Sequence, residues 1–181
     1  MSSFVEPHEL LWSEVAAIAN AEGLHLYDLE RGGGGLRVFV QADKLAVETD
    51  DSAEGQAGVT SGDCSRLCRR LMFFFSVEGG RLGVGSEPSI EVSSPGINRR
   101  LRLPWHFRSA LGQEVKITGI AELVAAPADA GGVQTISGRL HEIKGDEGAE
   151  HFDSVVLVTD KDKVVVFPFD SIQKARVEFT F

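Results

Sequence analysis

Six arginines fall in two short runs, and they are the side chains in this sequence best suited to a chemical task. Arg99, Arg100 and Arg102 sit with Asn98 and Leu101 in the densest positive cluster of the chain. Arg66, Arg69 and Arg70 fall together on one side of a helical pattern. A guanidinium grips phosphate oxygens through two parallel hydrogen bonds, which an ammonium does not reproduce. Both runs are therefore candidate phosphate-contacting patches. The plainer alternatives are pairing of Arg99–Arg102 with nearby carboxylates and a merely solvated helix face at Arg66–Arg70.

Other constellations point to less. Cys64 and Cys68 are the only cysteines; two thiols make no disulfide framework, and their spacing puts them on one helical face as buried core thiols. No histidine completes a metal motif around them. Asp50, Asp51 and Glu54 are dense enough to attract a cation but lack the order of a Ca²⁺ loop, so a solvated connection is expected. The glycine run Gly32–Gly35 precedes a strand rather than a helix, which argues for a turn and against a phosphate cradle. Ser93 and Ser94 lack the glycine-flanked elbow of a hydrolase nucleophile. His106, between Trp105 and Phe107, reads as a packed linker residue, and Asp160 and Asp162 with Lys161 and Lys163 read as a polar turn. No catalytic residue, metal or cofactor is expected.

These residues sit on a chain of 181 residues and 19.5 kDa, with 43% hydrophobic and 25% charged residues. That balance is globular, and the length suffices for one or two domains with a real core. The net charge is −9, spread as −5 over residues 1–104 (10 basic, 15 acidic) and −4 over residues 105–181 (8 basic, 12 acidic). Strong nonspecific nucleic-acid binding needs a net basic face, so an acidic surface suits a basic protein partner, with RNA left to local positive patches. No apolar run approaches the ~18 residues of a membrane span, and MSSFVEPHELL is acidic where a signal peptide is basic. A soluble, cytoplasmic protein is expected.

The elements that must position the arginines follow from periodicity. Pro7–Glu22 predicts a helix, with Leu11, Val15 and Ile18 on one face and Gly23 as the stop. Leu24–Glu30 and Leu36–Gln41 predict a β-hairpin across the glycines. Residues 43–62 read as a long acidic connection. Thr60 and Asp63 predict a capping box opening a second helix, whose apolar stripe is Cys64, Leu67, Cys68, Leu71, Met72 and Phe75. After the glycine-rich Gly79–Gly85, Ile90–Val92 predicts a strand entering the turn Ser93-Ser94-Pro95-Gly96. A domain boundary is placed at Leu103–His106. Beyond it, Gln113–Leu123, Val133–Ile143, Ser154–Thr159, Val164–Phe169 and Ile172–Phe181 are short β-prone runs with little helical pattern, which indicate a small β-barrel.

The segment Ile90–Leu101, IEVSSPGINRRL, resembles a signature of the bacterial ribosome maturation factor RimP family. Glu91, Val92, Ser93, Ser94, Pro95 and Gly96 match the motif, Arg99 and Leu101 match its basic stretch, and Phe107 with Gly112 continue it. Leu36–Val40, Asp63–Arg66 and Ile172–Val177 add weaker matches, so the likeness runs over about residues 5–178. Asn98 stands where the family usually has Asp, and Arg100 where it has Pro. Residues 43–62 are longer and more acidic than usual, and Met72–Gly85 diverges.

The resemblance implies an α+β N-terminal domain (1–103), with a helix, two strands, a helix and a third strand, followed by an SH3-like, Sm-like β-barrel (104–181). It implies a non-enzymatic assembly factor, without cofactor, that binds the maturing small (30S) ribosomal subunit and assists its late maturation. The implied partners are a basic ribosomal protein of the uS12 type and 16S rRNA. Nothing in the sequence demands more than a monomer. On this reading Arg99, Arg100 and Arg102, then Arg66, Arg69 and Arg70, would meet rRNA, and Glu91–Gly96 would be mainly structural. Two other readings stay open: a barrel adaptor for short peptides or RNA unrelated to ribosomes, and a hydrolase or transferase built around Ser94 and His106.

Overall fold

The computed structural model describes residues 9–33, 35–42, 58–123, 132–145 and 152–179. Several expectations lie outside these residues: Pro7 at the first helix start, Gly34 in the hairpin, and Asp50, Asp51 and Glu54 in the acidic connection. The chain divides into two compact units, one ending at Pro95 and the other beginning at Gly96.

In the first unit, helix α1 (Glu9–Ala21) buries Leu11, Val15 and Ala19, a row at i, i+4 and i+8. Gly23, with φ of 73°, turns the chain into β1 (Leu24–Gly32). β1 pairs antiparallel with β2 (Gly35–Ala42), with a bulge between Leu26 and Asp28. Alternation in β2 sends Leu36, Val38 and Val40 into the core and Arg37 outward. Helix α2 (Ser61–Glu78) then crosses to β3 (Ser89–Ser93), which pairs parallel with β2 to give the order β1-β2-β3. A parallel neighbour needs such a crossover, so α2 is held against the sheet by the topology itself.

The buried row of α2 is narrower than the sequence predicts. Leu67, Leu71 and Phe75 are fully buried, matching the i, i+4, i+8 row of α1. Cys64 and Cys68 are only half-buried, and Met72 is 55% exposed. The expectation of buried core thiols is corrected accordingly: one row of side chains fills the interface, and the next row, 100° around the helix, lies at its margin.

The second unit carries the short helix α3 (Pro104–Ser109) and strands β4 (Glu114–Ile120), β5 (Glu122–Leu123), β6 (Val133–Lys144), β7 (Ser154–Val158), β8 (Val164–Pro168) and β9 (Ile172–Val177). Together these six strands form an antiparallel sheet in the order β5-β8-β7-β6-β4-β9. The molecule is α+β, with two sheets. Val115, Ile117, Leu140, Val155, Leu157, Val165, Phe167 and Val177 build the second core from the inward positions of this sheet. Leu101 joins that core and is fully buried. Gly96–Leu103 thus goes with the second unit, whereas the sequence reading set its boundary at 103/104.

Helix α3 has no counterpart in the sequence reading. Pro104 supplies a pre-set φ at its start. Fully buried His106 receives hydrogen bonds at Nδ1 from the backbone N–H groups of Arg102 (3.0 Å) and Leu103 (3.2 Å). That nitrogen caps a helix start and so is occupied as an acceptor, a packing role that removes it as a ready general base.

Candidate functional site

On the first unit, the arginine run of α2 exists because the helix start is firmly set. The Thr60 hydroxyl accepts from the Asp63 backbone N–H at 3.2 Å, and the Asp63 carboxylate accepts from the Thr60 N–H at 2.9 Å. With the start fixed there and Leu67, Leu71 and Phe75 facing inward, Arg66, Arg69, Arg70 and Phe73 emerge on the exposed side. They line one shallow groove together with Glu22. Arg66 pairs with Asp63 and lies 3.5 Å from Glu22, while Arg70 Nη1 lies 2.8 Å from Glu22 Oε1. Arg69 has no ion-pair partner among the described residues.

Phe73 was missed by the sequence reading. It is 76% exposed, and Val77 one turn on is 72% exposed. The signal was present: in the run Phe73-Phe74-Phe75 only one ring can join the inward row, and a 100° step per residue turns Phe73 outward beside Arg69 and Arg70. A ring among guanidinium groups is the usual stacking platform for an unpaired base.

Hydrogen bonds from Thr60 and then Arg66 hold the Asp63 carboxyl at about 2, below its usual 3.8. Because the folded value is depressed, this contribution to stability is complete above about pH 4 and is lost as pH falls toward 2. Asp63→Asn should therefore flatten the acid arm of the stability profile between about pH 4 and 2; superimposable profiles for the two proteins would contradict the cap's role. Burial, and then the Asp63 charge, push the Cys64 thiol up, which keeps it protonated and unreactive.

On the second unit, residues 98–101 run alongside β9 like an added strand. Leu101 N donates to Ala175 O at 2.9 Å, Val177 N donates to Arg99 O at 2.9 Å, and Phe179 N donates to Asn98 Oδ1 at 3.0 Å. Extended backbone alternates its side chains. Leu101 enters the core, and Arg99 is half-buried with Nη2 donating to Gln113 Oε1 at 3.2 Å. Arg100 is exposed and bridges in register to Arg176, also exposed. Arg102 is half-buried beside the start of α3. The sequence cluster thus divides its work: Arg100 presents a cation outward, while Arg99 and Arg102 hold one flank against the fold.

Glu91–Pro95 closes the first unit, and Gly96 opens the second. Glu91 Oε2 accepts from Arg37 Nε at 3.2 Å across the β2–β3 pair, both side chains being exposed. Val92 packs against the first core and Ser93 pairs with Phe39. Ser94 is exposed, Pro95 half-buried, and Gly96 takes φ of 77°, a conformation that favours glycine. No group of three or more His, Cys, Asp or Glu side chains is placed to hold a metal ion among the described residues, and no described helix is long and apolar enough to cross a membrane.

No family model matches the chain. It is similar to the ribosome maturation factor RimP of Albidiferax ferrireducens, 35% identical over 104 residues, which are 58% of this chain and 48% of that protein. It is 33% identical over 132 residues to that of Variovorax paradoxus, covering 70% of this chain and 60% of the other. With that of Polaromonas naphthalenivorans it is 34% identical over 159 residues, 86% of this chain and 73% of the relative. The matched stretch thus spans about half to three-fifths of the first two relatives and nearly three-quarters of the third.

Proposed function

The chain belongs to the ribosome maturation factor RimP family, and from that membership we propose that it is a non-enzymatic assembly factor that binds the maturing small (30S) ribosomal subunit and assists its late maturation. It acts as a cytoplasmic monomer. The observation that carries the binding mode is the distribution of charge: a chain of net charge −9 gathers Arg66, Arg69 and Arg70 on the exposed side of α2 in one unit and sets exposed Arg100 beside exposed Arg176 in the other. On this reading the acidic surface engages a basic ribosomal protein of the uS12 type, as acidic and basic surfaces attract over a Debye length. The arginines meet phosphates of 16S rRNA, with Phe73 available to an unpaired base. We read the six-stranded sheet as an SH3-like barrel that presents Arg100, with α2 presenting Arg66, Arg69 and Arg70.

Replacing Arg99, Arg100 and Arg102 together with Ala should weaken binding to isolated small subunits. The slope of log K against log salt should become shallower by about 1, since each phosphate contact contributes about 0.7–0.9 and Arg100 is the one of the three that faces outward. The backbone bonds that hold residues 98–101 against β9 do not need these side chains, so the variant should fold. A folded variant with unchanged affinity and unchanged slope would remove the three arginines from the interface.

A further inference from the structure

The bridge between Arg100 and Arg176 is one end of a longer arrangement. Arg176 pairs in register with Lys116 of β4, which pairs with Ser137 of β6. Directly opposed residues on neighbouring strands project from the same face. Three cations therefore stand side by side across the sheet, within about 10 Å at the ~4.8 Å spacing of strands. The next row places Lys174, Thr118 and Thr135 together, with the two threonine hydroxyls 2.8 Å apart. On the opposite side of the Lys116 row, Arg139 pairs with Glu114 at 3.8 Å.

Like charges directly opposite each other oppose strand pairing, yet this sheet aligns Lys116 with Arg176, and among the described residues one carboxylate bridges that pair. Glu178 Oε1 lies 3.6 Å from both Lys116 Nζ and Arg176 Nη2, and the Ser137 hydroxyl donates to Glu178 Oε2 at 2.7 Å. Among the described residues the face carries Arg100, Lys116, Arg139, Lys174 and Arg176 against Glu114 and Glu178, a positive surplus within an acidic chain.

We infer that the outward face of β9, β4 and β6 is a docking surface for an RNA phosphate backbone, on which Glu178 is a displaceable counter-ion. Phosphates would replace the shared carboxylate between Lys116 and Arg176 and reach Arg100 and Lys174 on either side. Ser137, Thr118 and Thr135 supply hydroxyls of the kind that meet phosphate and 2′-OH groups. An acidic polypeptide fits less well, because peptides are held by unpaired strand edges or apolar grooves, and these rows offer charged and hydroxyl side chains on the face of a sheet. The inference rests on the assembly-factor reading only in taking the RNA to be ribosomal.

The test uses the full chain, with a short RNA hairpin and polyglutamate as probes, read by fluorescence anisotropy at several salt concentrations. Lys116→Gln with Arg176→Gln should weaken hairpin binding about 10-fold and reduce the salt slope by about 1.5–2. Glu178→Gln, which keeps a partner for Ser137, should strengthen hairpin binding several-fold without altering the circular dichroism spectrum. Hairpin affinity unmoved in both variants would overturn the inference, as would polyglutamate bound as tightly as RNA. If the RNA results follow expectation in a chain that ignores isolated small subunits, the docking surface stands and the ribosomal reading falls.

Discussion

Phe107→Ala should lower the stability of the second unit by about 3–5 kcal/mol, the usual cost of removing a large aromatic side chain from a core. Phe107 is fully buried on α3, with its ring 5.4 Å from Phe152 and 5.9 Å from Phe169, both edge-on. Phe152 and Phe169 approach each other to 4.3 Å. The three rings close one cluster, so truncation loses edge-to-face contacts as well as buried area. Leu101, which pins the arginine segment against β9, shares that core. Urea unfolding monitored by near-UV circular dichroism should show the loss, and Phe107→Leu should recover most of it. A midpoint within error of the native protein's would mean that α3 is not part of the core.

Gly79→Ala reverses the usual sign of a glycine-to-alanine change. Gly79 has helical angles, φ −58° and ψ −35°, where alanine ordinarily stabilises by about 0.4–1 kcal/mol. Here an added Cβ would lie 1.7 Å from Gly85 O and 2.5 Å from Phe75 O. The loop folds back on the helix end, with Val84 N donating to Gly79 O at 2.9 Å and Leu82 buried behind it. Relief requires moving backbone, not a flexible side chain, and a cost of about 1–3 kcal/mol or more is expected. Thermal unfolding should show a lower Tm for Gly79→Ala, whereas Gly80→Ala, with open space around its Cβ, should leave it nearly unchanged. A raised Tm for Gly79→Ala would show that the loop does not close against the helix.

What the sequence made legible was local. Thr60 and Asp63 announced the start of α2, the glycines between two alternating runs announced the hairpin, and short β-prone runs marked the strands of the second unit. The misses share a physical origin in distance along the chain. The parallel pairing of β3 with β2 depends on a crossover no local pattern encodes. α3 has six residues, too few to show a period, and depends on His106 capping backbone N–H groups. The half-exposure of Cys64, Cys68 and Met72 follows from how wide an interface the sheet offers. At the candidate site, Arg100 was legible as part of a dense cluster, but its neighbours Arg176 and Lys116 were not, because register across three strands brought them together. Arg99 and Arg102 looked equivalent to Arg100 until strand alternation turned Arg99 to the Leu101 side and the start of α3 left Arg102 half-buried.

On the proposed function, the chain recognises free small ribosomal subunits. The direct measurement is sedimentation of the purified chain with isolated small subunits, isolated large subunits and joined ribosomes, at two salt concentrations. Travel with free small subunits alone is expected, weakened at the higher salt as the arginine contacts are screened. Absence from every ribosomal fraction at low salt would contradict it and favour a barrel adaptor acting elsewhere.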